Sequence, residues 1–149
     1  RVLILDQSMS ELKDLITIRN YIPEFDKNFI FSTWKKSIYF GNKYLRDIPE
    51  DHFFEKFELL IKFILDKPET TIKVACLKED ISVILGYSVY ELELFHFIFI
   101  KLMWRGLGIS KLLLPESIQA VTQMNHCGET LKQKHFPNAS YAPFIIGTL

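Results

Sequence analysis

The sequence predicts an α+β (α/β) fold, a mixed and largely antiparallel central sheet flanked by helices. Three observations lead to it. Apolar residues recur at helical spacing over residues 30–38 and 53–65. β-rich runs follow in close succession at 71–77, 81–90 and 94–101. The last third then alternates helix and strand signals, so hairpins and crossover connections share one domain.

Leu15, Ile16, Thr17, Ile18 and Arg19 form a β-branched run that reads as a strand. Pro23 bars a helix from running through the segment, and Asp26 reads as the N-cap of the next element. Ile30, Trp34 and Ile38 mark one face of a helix that Gly41 ends. Pro49 opens a second helix, where its missing N–H is an orphan in any case. Phe53, Phe57, Leu60, Ile61 and Ile64 give that helix a broad apolar face, and Asp66-Lys67-Pro68 stops it. The strands at 71–77 and 81–90 flank the turn Lys78-Glu79-Asp80 and form an antiparallel hairpin. Residues 94–101 are apolar at nearly every position, as suits a central strand covered on both faces. A helix at 109–114 is cut by Pro115. A strand at 118–124, a helix at 128–135 and a last strand at 141–146 complete the order. Residues 2–5 read as a short strand or extension and 6–10 as a turn, so 1–13 stands as an N-terminal extension of one domain covering 1–149.

A chain of 149 residues buries a core without staples. Its 13 Phe residues read as core rather than as a base-stacking surface. Eighteen basic and 18 acidic side chains cancel, so charge gives no support for nucleic acid as a partner. No apolar run approaches the roughly 20 residues that span a bilayer, so no membrane partner is expected. Residues 2–5 are too short for a signal peptide. Cys76 and Cys127 form no disulfide framework and lie in no metal-spacing motif, so no metal is expected and the setting reads as reducing and cytoplasmic.

The informative segment runs from Ile98 to Ser110. An apolar strand enters a glycine-containing turn, and the turn opens a helix. Several backbone N–H groups then converge on one spot, which suits a phosphate. Glycines let that phosphate approach the main chain. The spacing alone also fits a plain strand–turn–helix connection. A dinucleotide fingerprint would need a third glycine, but position 111 is Lys; a P-loop would need Gly-Lys-Ser/Thr, but Gly108 precedes Ile109 and Ser110.

Arg105-Gly106-Leu107-Gly108-Ile109-Ser110 resembles the signature Gln/Arg-x-x-Gly-x-Gly/Ala of the GNAT N-acetyltransferases, with Ser110 a small departure at its last place. Residues 16–19 with Asp26 resemble that family's opening strand and helix cap, and Ile84-Leu85-Gly86-Tyr87 resembles its third strand. The likeness covers residues 15–124. Residues 34–42 and 71–78 resemble a subgroup often found in phage and prophage genomes, which implies a host cytoplasm.

The resemblance implies that acetyl-CoA lies where the fourth and fifth strands splay apart. Its pyrophosphate would sit on main-chain N–H groups of Leu107, Gly108, Ile109, Ser110 and Lys111, beside Arg105 and Gly106. Its pantetheine arm would pair with the main chain of Ile98, Phe99 and Ile100, where an N–H would polarise the thioester carbonyl. The amine acceptor must lose a proton to a base, and the leaving thiolate gains from an acid. The family's strand glutamate corresponds to Leu94 here. Strand alternation places His96 on the face of Leu94, Ile98 and Ile100, so His96 reads either as a replacement base or as a core histidine. Glu93 is the weaker candidate, facing away or at the strand mouth. The helix at 128–135 lacks the family's tyrosine. Tyr141 reads as the acid or as a packing residue, with His126, Cys127 and His135 as alternatives. Trp34, Tyr39, Tyr44 and Phe53 would line the acceptor pocket, although Trp34 and Phe53 individually suit the core. The competing reading is a non-catalytic module of the same fold that binds CoA or a protein; the oligomeric state, a homodimer included, stays open.

Overall fold

The computed structural model describes residues 9–143. The expected element at 2–5 lies outside them, as do residues 144–146 of the expected last strand. Helix α1 (Met9–Asp14) leads into β1 (Ile16–Asn20), α2 (Pro23–Phe40) and α3 (Glu50–Asp66). Strands β2 (Thr71–Leu77), β3 (Ile84–Glu91) and β4 (Leu94–Ile100) follow. The short helix α4 (Ile109–Leu113), β5 (Ala120–Val121), α5 (His126–His135) and β6 (Ser140–Tyr141) complete the order.

The six strands form one sheet in chain order. The first four pair antiparallel, while β4–β5 and β5–β6 are parallel. Both faces are covered. Ile30, Trp34, Ile61 and Ile64 of α2 and α3 pack on Val74, Tyr87, Val89 and Phe97. Ile109 and Leu113 of α4 pack on Ala75 and Leu85, the strand neighbours that point the other way. Every residue of β3 is buried as a result. The Phe-rich core reading fits this packing: Trp34 is buried and stacks on Phe97 at 5.2 Å.

Asp26 is not the N-cap of α2. Pro23 takes the first turn, so the helix begins earlier and Ile22 is the cap. Asp26 instead reaches back, accepting a hydrogen bond from Ile22 N–H at 2.8 Å and two from the Arg19 guanidinium at 2.7 and 2.8 Å. That fork ties β1 to α2 beneath a fully buried carboxylate. The start of β3 also shifts. Ser82 donates from N–H and Oγ to Asp80 Oδ1, which holds residues 80–82 in a turn and delays the strand to Ile84. A short 3-10 turn, Lys43–Asp47, joins α2 to α3. It leaves Tyr44 on the surface, while Tyr39 is buried and donates to Ile48 O at 2.6 Å.

Removing one partner of a buried ion pair strands the other. Asp26→Ala is expected to lower the unfolding free energy by about 3 kcal/mol in a urea titration. An unchanged midpoint would show that the Arg19 fork does not hold β1 to α2.

Candidate active site

The site begins with a break in the sheet. In the β3–β4 ladder Val89 pairs with Phe97, but Tyr90 pairs with Phe95, so His96 is an extra residue in β4. Hydrogen-bonded and non-bonded pairs alternate along an antiparallel ladder. Lys101 N–H donates to Leu85 O, so the main chains of Phe99 and Phe97 face β3, while those of Ile98 and Ile100 face the opposite edge. Beyond the bulge the order inverts: Phe95 O turns to that edge and accepts Thr122 N–H at 3.0 Å. Edge-facing residues therefore step from Phe95 to Ile98, three positions instead of two. A regular β5 cannot match that step. It pairs with β4 only at Leu94–Ala120 and Phe95–Val121 and then departs. This is why the strand expected at 118–124 is two residues long, and why the two strands splay.

A buried polar chain holds the bulge. Glu91 Oε2 meets His96 Nε2 at 2.5 Å, and His96 Nδ1 meets Thr122 Oγ1 at 2.7 Å. Glu91 Oε1 pairs with Lys67 Nζ at 2.8 Å. The chain thus ties the end of α3, β3, β4 and β5 together. Burial alone would raise the Glu91 carboxyl, but hydrogen bonds from Lys67 and His96 outweigh it and hold it below the ordinary carboxylate range. Burial lowers His96 below its usual value, against the opposing pull of Glu91. A neutral His96 then donates Nε2–H to Glu91 and accepts the Thr122 hydroxyl at Nδ1.

The opening beyond the splay is a cleft of about 690 Å³. One wall is Phe97, Ile98, Phe99 and Ile100; the opposite wall comes from α5, with Cys127, Leu131, Lys134 and His135. The turn Trp104-Arg105-Gly106 with Gly108 closes one end. Gly106 and Gly108 have φ of 80° and 86°, a region costly for residues with a Cβ. A Cβ built on either would meet nothing within 4 Å, so the turn leaves open space in front of its main chain. Arg105 Nε donates to Ile100 O at 2.7 Å, and its guanidinium lies over Phe99, fastening the turn to β4. Leu107 and Ile109 are buried beneath the turn as its anchors, so any contact from Leu107 to a ligand would come from its main chain.

The chain is neutral overall, yet the cleft is not. Arg105, Lys111 and Lys134 line it, and among the described residues no carboxylate does. His135, also on the lining, is lowered by burial and then by the nearby charges of Lys134 and Lys111, which places it in a positive field. The run Lys132, Lys134 and His135 in the last turn of α5 was the available sequence signal for this rim. Only His135 of these was singled out from the sequence.

Ile98, Phe99, Ile100, Arg105, Gly106, Gly108, Ile109, Ser110 and Lys111 all line the cleft. The three expected catalytic side chains do not. Glu93 is exposed in the β3–β4 turn, where its carbonyl accepts Gln119 N–H and joins β4 to β5. Tyr141 is exposed on β6. His96 is closed off with both ring nitrogens bonded, and the bulge breaks the simple alternation that put it on the face of Ile98. It lines instead a cavity of about 30 Å³ between β4, β5 and α5, which shares Phe97, Ile98, Asn125 and Leu131 with the cleft. Asn125 caps α5 by accepting Gly128 N–H at 2.7 Å, which starts that helix two residues before its expected position.

A Pyrococcus furiosus protein provisionally described as an acetyl transferase superposes with a TM-score of 0.53 at 19% identity, over 85% of this chain and 80% of that one. A GCN5-related glucosamine N-acetyltransferase region of a fungal multi-domain enzyme gives 0.45 at 12% identity, over 87% of this chain and 14% of that one. An aminoglycoside N-acetyltransferase in complex with CoA gives 0.43 at 15%, over 80% and 82%. No protein-family model and no curated protein sequence matches. The chain shares its fold with the Pyrococcus furiosus protein: a six-stranded mixed sheet between helices, with a parallel fourth and fifth strand. Among the described residues no helix is long and apolar enough to cross a membrane.

The depressed His96 fixes a sign. As pH falls, the unfolded chain takes the proton first, so the stability linked to His96 is intact above the ordinary 6.5 and drains away below it toward the lowered folded value. His135 acts in the same direction. Wild type is expected to lose more unfolding free energy between about pH 7.5 and about pH 5.5 than His96→Gln, by urea melts at each pH. Equal losses would contradict the buried, neutral histidine.

Proposed function

We propose that the protein is an acetyl-CoA-dependent N-acetyltransferase that moves the acetyl group to a primary amine by direct attack. The observation that carries the reading is the splayed β4–β5 cleft with cations and, among the described residues, no carboxylate on its lining, closed by a turn with two positive-φ glycines. That arrangement suits a long ligand with phosphates at one end and amides along its length. The phosphates fit the turn, near Arg105, Lys111 and Lys134, where N–H groups of residues 107–111 are at hand. The amides of the pantetheine arm fit the edge-facing main chain of Ile98 and Ile100. The bound thioester would supply an activated acyl carbon. The amine nitrogen bonds to that carbon, the carbon–sulfur bond breaks, and the proton shed by the amine balances the one taken up by the thiolate.

His96 then acts as a positioning residue, setting the bulge that frees the main chain of Ile98. A specific observation favours the second reading, a CoA-binding module without turnover: His96, Glu93 and Tyr141 do not line the cleft. Cys127 and His135 do, so a proton-transfer role falls first to His135, whose lowered basicity keeps it neutral near pH 7.

Calorimetry with acetyl-CoA tests the reading directly. Binding is expected, and Lys111→Glu with Lys134→Glu should weaken it by about tenfold at low salt, less at high salt. No binding by wild type would refute the cofactor assignment. Binding with no thiol release across a panel of primary amines would favour the non-catalytic module.

A further inference from the structure

Gln123 carries a buried polar atom without a partner. Its side chain lines the small cavity at the foot of the cleft. Its Oε1 accepts the indole N–H of Trp34 at 2.6 Å. An indole nitrogen only donates, so the oxygen of the amide must face Trp34 and the nitrogen must face away. Trp34 is fixed in turn, buried and stacked on Phe97 and set edge-on to Phe57. The Gln123 amide is therefore held in one orientation. Its Nε2 is buried and has no hydrogen-bond partner among the described residues. Leaving such a donor unsatisfied is costly, so its acceptor lies outside the described residues.

The place narrows what that acceptor is. The cavity lies where β4 and β5 converge, lined by Phe95, Val121 and Gln123, and it adjoins the cleft at Phe97 and Ile98. A ligand anchored by its phosphates at the Gly106–Gly108 turn and running along the edge of β4 reaches this point last. Its terminal group meets Gln123. At about 30 Å³ the cavity has room for a water or the tip of a small acyl group, not for a longer chain.

The geometry points to Gln123 as the residue that reads the acyl end of the ligand, its Nε2–H donating to the thioester carbonyl oxygen. This rests on the acyl-CoA reading of the cleft. It adds a side-chain donor to the main-chain donor on β4 and sets a preference for acetyl over bulkier acyl groups. A free thiol offers no carbonyl, so discrimination between acetyl-CoA and CoA reports both donors, and the part lost on changing Gln123 reports the side chain.

Calorimetry on wild type should give acetyl-CoA binding about fivefold tighter than CoA. Gln123→Glu keeps an oxygen for Trp34 but removes the donor, and Gln123→Leu removes both. In either variant the preference for acetyl-CoA should shrink to what the β4 main chain alone gives, while CoA affinity holds. Equal affinities in wild type would overturn the proposal without any variant, as would a preference that is undiminished in a folded Q123E or Q123L. If wild type binds neither ligand, the cofactor reading fails and takes this inference with it. CoA binding without the preference defeats the Gln123 role alone.

Discussion

One extra residue in β4 shapes the rest of the site. The bulge at His96 changes the spacing of edge-facing main-chain groups from two residues to three. β5 can bond to Phe95 but cannot continue alongside Ile98. The separation of the strands is thus a consequence of register, not of a missing side chain. The bulge is costly because it places polar groups in the core. The Lys67–Glu91–His96–Thr122 chain satisfies them, and it draws one member from each element that meets there. Removing any one leaves a buried neighbour unpaired.

Once the strands part, the cleft's chemistry follows from what reaches it. The β4 edge offers two residues of outward-facing main chain. The turn offers exposed backbone, because glycines at 106 and 108 put no Cβ over it. Charge comes from two directions, Arg105 and Lys111 around the turn and Lys134 on α5. A neutral protein thereby concentrates positive potential in one groove. Burial, and after it the same field, lower His135 beside the groove.

Much of the frame was legible in the sequence because local signals carry it. The apolar spacing in α2 and α3, the β-rich runs and the glycine turn each depend on near neighbours. The failures share a cause. Asp26 looked like a cap because capping residues look alike in sequence; its partner Arg19 and the role of Pro23 decide otherwise. β5 looked long because its residues suit a strand, but its length is set by the register of β4. The cleft-lining residues from Ile98 to Lys111 could be named from one contiguous motif. The place of His96 could not, because strict alternation fails at a bulge, and nothing in the sequence marks it as the extra residue. Gln123 had no signal at all: its role comes from Trp34, 89 positions away.

We propose that the outward-facing main chain of β4 receives the ligand. Amide hydrogen exchange read residue by residue, with and without acetyl-CoA, tests it most directly. The N–H groups of Ile98 and Ile100 should exchange readily in the free protein and become protected on binding. Those of Phe97 and Phe99, already bonded to β3, should change little. Protection that misses Ile98 and Ile100, or that spreads evenly along β4, would contradict the account.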